Sequence, residues 1–496
     1  MGIEIRQDQF TAEDYDRFNE KIRDNLHALQ QLLEQPGFGV GADSLGAELE
    51  FYLVAQDGQP VPCNEAILKA AANPQLTPEL NRFNLEYNLR PHSFAGAPFA
   101  AFEQELQQAI RDTNTCAARY GAELLPIGIL PTAQLSQFGS HMMTDQPRYR
   151  AMDNALRRLR GAPFEVHIDG TPPLDLTWDD VTLEGANTSF QLHWRLNPEQ
   201  FADSFNAVQL VTPIALALAA NSPLLFGHEL WQETRIALFK QSIDCRDENH
   251  AQRKYPPRVY FGNGWLRQGA LELFASTVAL FPPIMPVLHA EDPLQALAQG
   301  KRPQLHELKL HQGSTWPWNR AIYDHHDGGH VRMEMRALPA GPSLQDMSAS
   351  GAFLLGSALA LRDSMADRTS LLPFKFAEHN FYRAAQHGLD AVLLWPSSSQ
   401  IKVVEYEVLE LARRLVPMAE DALQMAGMEH GEAKRLMDNI RDRLQARTNG
   451  AQWQLNMLHR LQASGLDAAS ARQQMLQRYR QNFYSQQPVS QWSEAL

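Results

Sequence analysis

The sequence predicts an α+β fold: a β-sheet with one strongly polar face, followed by a long helical region. Two observations support this class. Four segments in the first two thirds of the chain alternate apolar and polar residues with the two-residue period of a β-strand. After Pro342, by contrast, apolar residues recur at helical spacing almost to the end of the chain.

Each of the four strand segments carries its polar side chains on one face. A solvated strand face usually holds Thr, Lys and Ser, whereas these faces hold Glu, His, Gln, Asn and Arg. The polar positions are Glu48, Glu50 and Tyr52 in the first segment, Asn84, Glu86, Asn88 and Arg90 in the second, Ser189, Gln191, His193 and Arg195 in the third, and Arg332, Glu334 and Arg336 in the fourth. The choice of polar residues therefore indicates more than exposure to water.

The Glu48 and Glu50 side chains are expected to lie about 7 Å apart, since a strand rises about 3.4 Å per residue. An isolated pair of this kind is most simply a solvated acidic face. Brought together in one sheet, however, the four segments would offer four carboxylates and one imidazole to cations, and several guanidinium groups to anions. Such oxygen-rich clusters suit Mg²⁺ or Mn²⁺, often together with substrate phosphates. Burial without ions would cost several kcal/mol per charge, so the pattern favours a cation-binding face.

The remaining elements divide the chain into an N-terminal helix (1–40), an α+β core (41–360) and a C-terminal helical region (361–496) packed on the core. A short strand is predicted within 122–130 and a β-hairpin within 314–338. A buried helix is expected to open near Pro213 and to end before Pro223. The other predicted helices are 1–35, 65–72, 99–120, the second half of 141–160, 230–243 with Arg235 at its centre, 343–368, 376–388, 401–428, 431–447 and 450–483.

Two further polar groups have simpler interpretations than ligand binding. The basic residues of segment 141–160 favour a solvated helix face over a phosphate site; they are Arg148, Arg150, Arg157, Arg158 and Arg160. The stretch from Asp324 to His330 resembles a metal site, but Asp, His and Gly also suit the tip of a hairpin. We therefore interpret it as a turn.

Composition narrows the function classes. The net charge of −13 argues against a nucleic-acid partner, because polyanion binding needs clustered Lys and Arg. Three widely spaced cysteines form neither a disulfide framework nor a zinc pattern, which fits a reducing cytoplasm. The first ten residues lack an apolar signal core. We expect small-molecule partners, no membrane partner, and a monomer or homodimer.

Several motifs, taken in order, resemble one known family. They are G-A-E-L-E-F, L-E-Y-N, T-S-F-Q-L-H-W, A-A-N-S-P-L-L-F-G, E-T-R-I, H-V-R-M-E-M-R-A-L-P, E-H-N-F-Y-R-A-A-Q-H-G-L-D-A and N-G-A-Q-W-Q. Each motif alone is weak, but their order over residues 40–460 is specific. The chain resembles the plant- and proteobacterial-type glutamate–cysteine ligase, or carboxylate–amine ligase, family.

This resemblance implies a glutamine-synthetase-like antiparallel sheet lining a concave active site, and an ATP- and Mg²⁺-dependent ligase that works through an acyl phosphate. The implied metal ligands are Glu48, Glu50, Glu86, His193 and Glu334, the residues that strand alternation also singles out. Arg336 matches an arginine that holds the transferable phosphate of ATP, with Arg332 beside it, and Glu50 is expected to be essential for catalysis. The expected substrate-binding residues are Arg235, Arg246 and Gln191.

Other interpretations remain for single residues and for the whole chain. His193 alone would most simply be a core histidine, and Arg235 is equally well explained by a structural ion pair. Two rival function classes are a metal-dependent hydrolase or phosphotransferase that uses the same cations, and a catalytically silent nucleotide-binding protein. The full set of Glu, His and Arg residues favours the ligase, with γ-glutamyl–cysteine or a related γ-glutamyl or amino-acid amide as the simplest product.

Overall fold

The computed structural model describes residue 5 and residues 7–397 and 401–496. The first ten residues were predicted to lack an apolar signal core. Of these, residues 1–4 and 6 lie outside the described residues. The strands are β1 (Ser44–Val54), β2 (Leu76–Pro78), β3 (Asn84–Asn88), β4 (His92–Ser93), β5 (Glu123–Leu125), β6 (Phe164–Ile168), β7 (Leu174–Trp178), β8 (Phe190–Arg195), β9 (Leu224–Leu225), β10 (His228–Glu229), β11 (Val259–Tyr260), β12 (Trp316–Pro317), β13 (Asn319–Asp324), β14 (His330–Met335), β15 (Val392–Ser397) and β16 (Lys402–Glu407).

Helices make up most of the rest of the described chain. They are α1 (Ala12–Leu33), α2 (Asn64–Ala71), α3 (Pro98–Ala117), α4 (Pro147–Arg160), α5 (Phe201–Ala219), α6 (Thr234–Ser242), α7 (Glu248–Gln252), α8 (Leu271–Leu280), α9 (Pro293–Ala298), α10 (His306–Gln312), α11 (Leu344–Arg362), α12 (Met365–Leu371), α13 (Phe374–His387), α14 (Val408–Met425), α15 (His430–Ala446), α16 (Gly450–Ala463) and α17 (Ala468–Tyr484). The predicted α+β class is confirmed.

The main sheet is a curled antiparallel sheet with the strand order β13-β14-β8-β1-β3-β2, and β4 and β5 also pair with β1. Its strands hold their apolar side chains on the outer face, where Leu45, Leu49 and Leu192 are fully buried. Helix α11 lies against that face: a Cβ added to Gly351 would meet the Leu192 side chain at 2.5 Å. With its outer face covered by helices, the sheet turns its other face, which carries the polar residues, towards the site.

The buried helix α5 differs from the prediction. It begins at Phe201, and Pro213 lies inside it and not at its start. Proline removes one backbone donor from the helical ladder, but α5 packs closely against α11 and α13, and this packing outweighs the loss. Segment Pro198–Ala219 is long and apolar enough to span a membrane, yet 89% of its most apolar window is buried in the fold. It is a buried core helix of the fold.

The helical prediction after Pro342 was wrong in three places, and in the first of them the predicted helix 343–368 is two helices, α11 and α12. Residues 402–407 form strand β16 instead of the first turns of a helix, because Val403, Val404 and Tyr406 favour an extended chain that pairs with β15. The predicted helix 450–483 is two helices, and Asp467 caps the second by accepting hydrogen bonds from the Ala469 and Ser470 amides. The predicted strand within 122–130 is confirmed only for β5.

Candidate active site

The polar side chains predicted from strand alternation meet on four neighbouring strands. In the pairing of β1 with β3, Glu50 lies opposite Glu86. In the pairing of β8 with its two neighbours, His193 lies opposite Gly46 on one side and Glu334 on the other. Because side chains directly opposite each other across a strand pair share one face, this register brings the carboxylates and the imidazole together.

A first group, here called the histidine cluster, consists of Glu48, His193 and Glu334, with candidate ligand atoms within 4.8 Å of one another. His193 Nε2 lies 3.1 Å from Glu48 Oε1 and 3.8 Å from Glu334 Oε1. On the other side of the ring, Arg332 Nε donates to His193 Nδ1 over 3.1 Å. Since Nδ1 accepts this bond, the ring proton of a neutral His193 sits on Nε2, facing Glu48.

Two arginines neutralise the Glu334 carboxylate. Arg320 donates to both carboxylate oxygens as a bidentate pair, and Arg336 Nη1 donates to Glu334 Oε2 over 3.1 Å. Burial alone would raise the pKa of Glu334, but Arg320, Arg336 and His193 hold this pKa well below its usual range. The histidine cluster is therefore largely charge-compensated by its own neighbours.

A second group, here called the carboxylate cluster, consists of Glu50, Glu79 and Glu86, again with ligand atoms within 4.8 Å of one another. Burial and the neighbouring Glu48 charge raise the pKa of Glu86 to about 7. Burial also raises the pKa of Glu50 to about 7, although Arg336 opposes the shift. The pKa of Glu79 is raised well above its usual value by burial and by the other two carboxylates. Three acidic groups thus crowd one place, and for Glu50 burial outweighs the opposing charge of Arg336.

Hydrogen bonds fix Glu50 and tie the two clusters together. Glu50 accepts from the Ser189 amide at 2.7 Å, the Ser189 hydroxyl at 3.0 Å and Gln191 Nε2 at 2.8 Å. The same Gln191 side chain accepts a hydrogen bond from Arg336 through its Oε1. Gln191 therefore bridges Glu50 of one cluster to Arg336, which bonds Glu334 of the other.

Sequence reasoning missed residues that lie beside these clusters. Glu79 lies in the loop after β2, and Glu184 lies in a short 3-10 turn, so neither belongs to a periodic segment. Burial raises the pKa of Glu184 to about 7, against the charges of Arg336 and Arg148. Arg320 could have been found from the sequence, because it lies in the predicted hairpin, whose observed pairing places it opposite Glu334.

The basic residues of α4 separate into two groups. Arg148 lines the cavity next to the histidine cluster, and its charge opposes the rise in the pKa of Glu184 that burial causes. The other four have partners elsewhere: Arg150 pairs with Asp8 and Asp145, Arg157 with Asp153, Arg158 with Tyr15, and Arg160 with Glu165 and the Arg246 carbonyl. Only Arg148 of this set is placed to meet a phosphate near the clusters.

The two other predicted substrate residues differ in position. Arg235 is 1% exposed; its Nε lies 3.0 Å from Glu233 Oε1, and its Nη2 donates to the Ala337 carbonyl, next to Arg336. Arg246 bonds Asp244 and the Tyr255 carbonyl, which belong to neither cluster. Arg235 therefore lies under the site as one partner of a buried ion pair.

Asn221 anchors this floor of the site to the C-terminal helices. Its backbone amide donates to Glu233 Oε2 at 2.7 Å. Its side-chain Nδ2 donates to the Ala340 carbonyl at 2.7 Å and to the Tyr479 hydroxyl at 2.8 Å, and its Oδ1 accepts from Gln454 Nε2 at 2.9 Å. A Cβ at Gly450 would lie 2.0 Å from Asn221 Oδ1. The close approach of the α16 backbone explains why a glycine begins that helix.

At the hairpin tip, the structure is consistent with a turn. Asp324 accepts hydrogen bonds from the backbone amide and the ring of His326, and Asp327 and Gly328 have positive φ. Ligand atoms of Asp324, His325 and His326 also lie within 4.8 Å of one another. Because Asp324 is already paired with Arg332, these bonds are explained without an ion.

A small cavity of about 110 Å³ opens beside the histidine cluster. Its polar lining residues are Glu48, His193, Glu334, Arg148, Arg320, Arg332 and Lys309. Its apolar lining residues include Phe274, Met285, Leu310 and Ile322. The cavity thus combines charged groups suited to cations and phosphates with apolar surface suited to a ring.

The donor atoms fit divalent cations, especially at the carboxylate cluster. The pKa values of the three crowded carboxylates are raised, so a cation bound among them would relieve the repulsion between their charges. Carboxylate oxygens are also the ligands that Mg²⁺ and Mn²⁺ prefer. At the histidine cluster, a cation bound by His193 Nε2 would need the ring proton on Nδ1, the atom to which Arg332 Nε donates in this structure. There the arginines already supply positive charge.

The protein is an α+β protein with a curled antiparallel sheet. One face of this sheet carries carboxylates, which suit cations, and arginines, which suit anions. Residues 44–260 match the family model of glutamate-cysteine ligase family 2. The family resemblance predicted from the motifs is thereby confirmed. At this coarse level the match supports the class of ATP-dependent carboxylate–amine ligases.

Comparison with solved structures agrees on the fold. The chain is similar to a glutamate–cysteine ligase from Francisella tularensis in complex with AMP, with a TM-score of 0.56, 13% identity, and coverage of 90% of this chain and 89% of that chain. Weaker matches are a bifunctional glutathione synthetase from Pasteurella multocida (TM-score 0.45, 12% identity, 94% and 55% coverage) and the complex of the prokaryotic ubiquitin-like protein Pup with its ligase PafA (0.38, 9%, 88% and 72%). No curated protein matches the sequence significantly.

Proposed function

We propose that this protein is an ATP- and divalent-cation-dependent ligase that joins a carboxylate to an amine through an acyl phosphate. The observation that carries the proposal is the pair of ligand clusters on one sheet face, bridged by Gln191 and Arg336. A ligase of this kind must hold a triphosphate beside a carboxylate substrate, and both are anions. Two adjacent cation sites and several arginines would neutralise the charges of these two anions.

In this proposal the residues of the clusters act on charge and position. Glu50, Glu79 and Glu86 would hold one cation, and Glu48, His193 and Glu334 a second. Bound cations would neutralise phosphate oxygens and orient the transferred group. Arg336 bonds Gln191 and Glu334 between the clusters, which supports the proposal that its guanidinium meets the γ-phosphoryl group. Its fork can bind two phosphate oxygens at once.

The chemistry needs two displacements. A carboxylate oxygen of the first substrate attacks the γ-phosphorus, and the bond to the β-phosphate oxygen breaks to release ADP. The amine nitrogen then attacks the carbonyl carbon of the acyl phosphate, loses a proton and expels phosphate. Preorganised positive charge around the phosphate oxygens lowers the barrier of the first step.

The substrates we propose are an amino acid that supplies the carboxylate and a small amine, most simply glutamate and cysteine. Arg235 and Arg246 remain predicted contacts for the amino-acid carboxylate, and the bonds of Arg235 favour a positioning role under the site. We also propose a cytoplasmic enzyme, consistent with three cysteines that form no disulfide. The division into core and C-terminal region at residues 360–361 stays a proposal.

The deciding experiment measures ADP release with MgATP across pairs of amino acids and amines, with hydroxylamine as a universal amine. Rapid ADP release is expected only when both substrates are present, and hydroxylamine should trap the acyl phosphate as a hydroxamate. Glu50→Gln is the control, because it removes one cation ligand and leaves the apolar face unchanged. Turnover without ATP would instead establish a hydrolase, and MgATP binding without turnover on any pair would establish a silent binding protein.

A further inference from the structure

In the part of the chain that the structure describes, the side-chain amide nitrogen of Gln312 is a buried polar group of the cavity beside the histidine cluster that has no hydrogen-bond partner. Gln312, the last residue of α10, lines this cavity and is only 5% exposed. Among the described residues, no acceptor lies within hydrogen-bond reach of its Nε2. Buried amide groups are almost always hydrogen-bonded, so an unpaired donor that lines a cavity points to a ligand.

The other end of the Gln312 amide is held only weakly. The Thr277 hydroxyl lies 3.5 Å from Gln312 Oε1, but the same hydroxyl lies 2.9 Å from the Leu273 carbonyl. A hydroxyl has one proton, and the shorter bond to Leu273 takes it. The Gln312 side chain is therefore available to a partner that enters the cavity.

The backbone of Gln312 is connected to the charged groups of the cavity. Its carbonyl accepts a hydrogen bond from Arg320 Nη1 at 3.2 Å, and the same arginine binds the Glu334 carboxylate. The residue that carries the buried amide is therefore joined to the histidine cluster. A ligand in this cavity could meet the charged groups, the amide and the apolar lining residues together.

We propose that the Gln312 side-chain amide is the hydrogen-bonding contact for the base of a purine nucleoside triphosphate. The proposal rests on the proposed function, which needs the triphosphate at the clusters. A purine base is flat and largely apolar on its faces, as the side chains of Phe274, Met285 and Leu310 require. Its edges carry ring nitrogens that accept hydrogen bonds, and these match the free Nε2 donor of Gln312.

The test compares MgATP with magnesium tripolyphosphate, which has the phosphate chain and no base, by calorimetry at equilibrium. Gln312→Met keeps the length of the side chain and removes the amide. We expect MgATP to bind about 10- to 100-fold more weakly to this variant, the range for losing one well-placed amide contact to a base. Tripolyphosphate affinity should be unchanged, and the melting temperature should not fall, because no satisfied bond is lost.

Gln209→Met is the matched control. Gln209 is also buried, but both ends of its amide are bonded, to the Phe261 carbonyl at 2.8 Å and to Asn319 at 2.6 Å. Its replacement should lower the melting temperature without changing the ratio of MgATP to tripolyphosphate affinity. This control separates a base contact from a general effect of removing a buried amide.

Each remaining outcome counts against the inference in a recognisable way. Unchanged MgATP affinity in Gln312→Met, or an equal loss for MgATP and tripolyphosphate, would overturn the base contact and leave the proposed function standing. Failure of the unmodified protein to bind MgATP would overturn both. Weaker MgATP binding that is matched by Gln209→Met would show that the effect is structural.

Discussion

The histidine cluster and the carboxylate cluster lie side by side on one sheet face, yet their charges are compensated in different ways. Glu334 of the first is held by Arg320 and Arg336, and its pKa is depressed. Glu50 and Glu86 of the second have pKa values raised to about 7. We therefore propose that the two clusters differ in purpose: the carboxylate cluster binds a cation, whereas the arginines of the histidine cluster are available to an anion.

This difference predicts an order of loading. A cation should bind first and most tightly at the carboxylate cluster, where it relieves repulsion between carboxylates. At the histidine cluster, a nucleotide must first draw the arginines towards its phosphates before Glu334 becomes free for a second cation.

Glu86→Gln should abolish turnover and remove cation binding in the absence of nucleotide, because a neutral amide replaces a carboxylate of the cluster that demands the cation. The measurements are ADP release and Mn²⁺ binding. Glu105→Gln is the matched control: Glu105 bonds the Tyr87 hydroxyl of the same strand but belongs to neither ligand cluster. Normal turnover in Glu86→Gln would refute the role of the carboxylate cluster.

Arg336→Lys should lower kcat by about 10²–10³, the order expected for losing one preorganised donor to the transferred group. Lysine keeps the charge but loses the fork that serves Gln191 and Glu334 together. The Kd of MgATP should change far less. If Arg336 is only a structural partner of Glu334, the melting temperature will fall instead and kcat per folded molecule will not.

Arg320→Gln should make the histidine cluster resemble the carboxylate cluster. Glu334 is 3% exposed and would lose its bidentate partner, at a cost of about 3 kcal/mol of unfolding free energy. Urea unfolding should show that Mg²⁺ restores more stability to this variant than to the unmodified protein. Arg441→Gln is the control. The Arg441 side chain is 41% exposed and pairs with Glu420, so its replacement should cost less than about 1 kcal/mol of unfolding free energy and give no Mg²⁺ effect.

Cation binding without nucleotide should weaken as the pH falls below about 7. Below that pH, Glu50 and Glu86 carry protons that a cation must displace, and above it they are already ionised. Each displaced proton changes the apparent affinity by about tenfold per unit of pH. Calorimetry in buffers of different ionisation enthalpy should detect proton release at pH 6 and little at pH 8. Equal affinity at both values would contradict the comparison.

The sequence predicts those site residues that lie on β-strands, where the two-residue period shows which side chains share a face. Alternation places Glu48, Glu50, Glu86, His193 and Glu334 on one face because strand pairing leaves little freedom in where a side chain points. Glu79 and Glu184 lie in irregular segments, where position follows from tertiary packing and not from local pattern.

The same limit explains the errors in the fold. From the local sequence alone, Pro213 is expected near the start of a helix. In the fold, packing against α11 and α13 stabilises α5 as a helix on both sides of Pro213. For β15 and β16, the apolar spacing fits helix and strand alike, and pairing between the two decides the outcome. The charge compensation that separates the two clusters was also beyond the sequence, because it depends on burial and on arginines from other strands.

The bonds of Asn221 have a consequence for synthesis of the chain on the ribosome. The strands that carry both clusters are complete by Met335, but the side-chain partners of Asn221 include Gln454 and Tyr479. Until those residues emerge, the floor beneath Arg235 lacks hydrogen bonds that a buried asparagine needs. A nascent chain can therefore pair its sheet early, whereas a finished site must wait for almost the last helix to be translated.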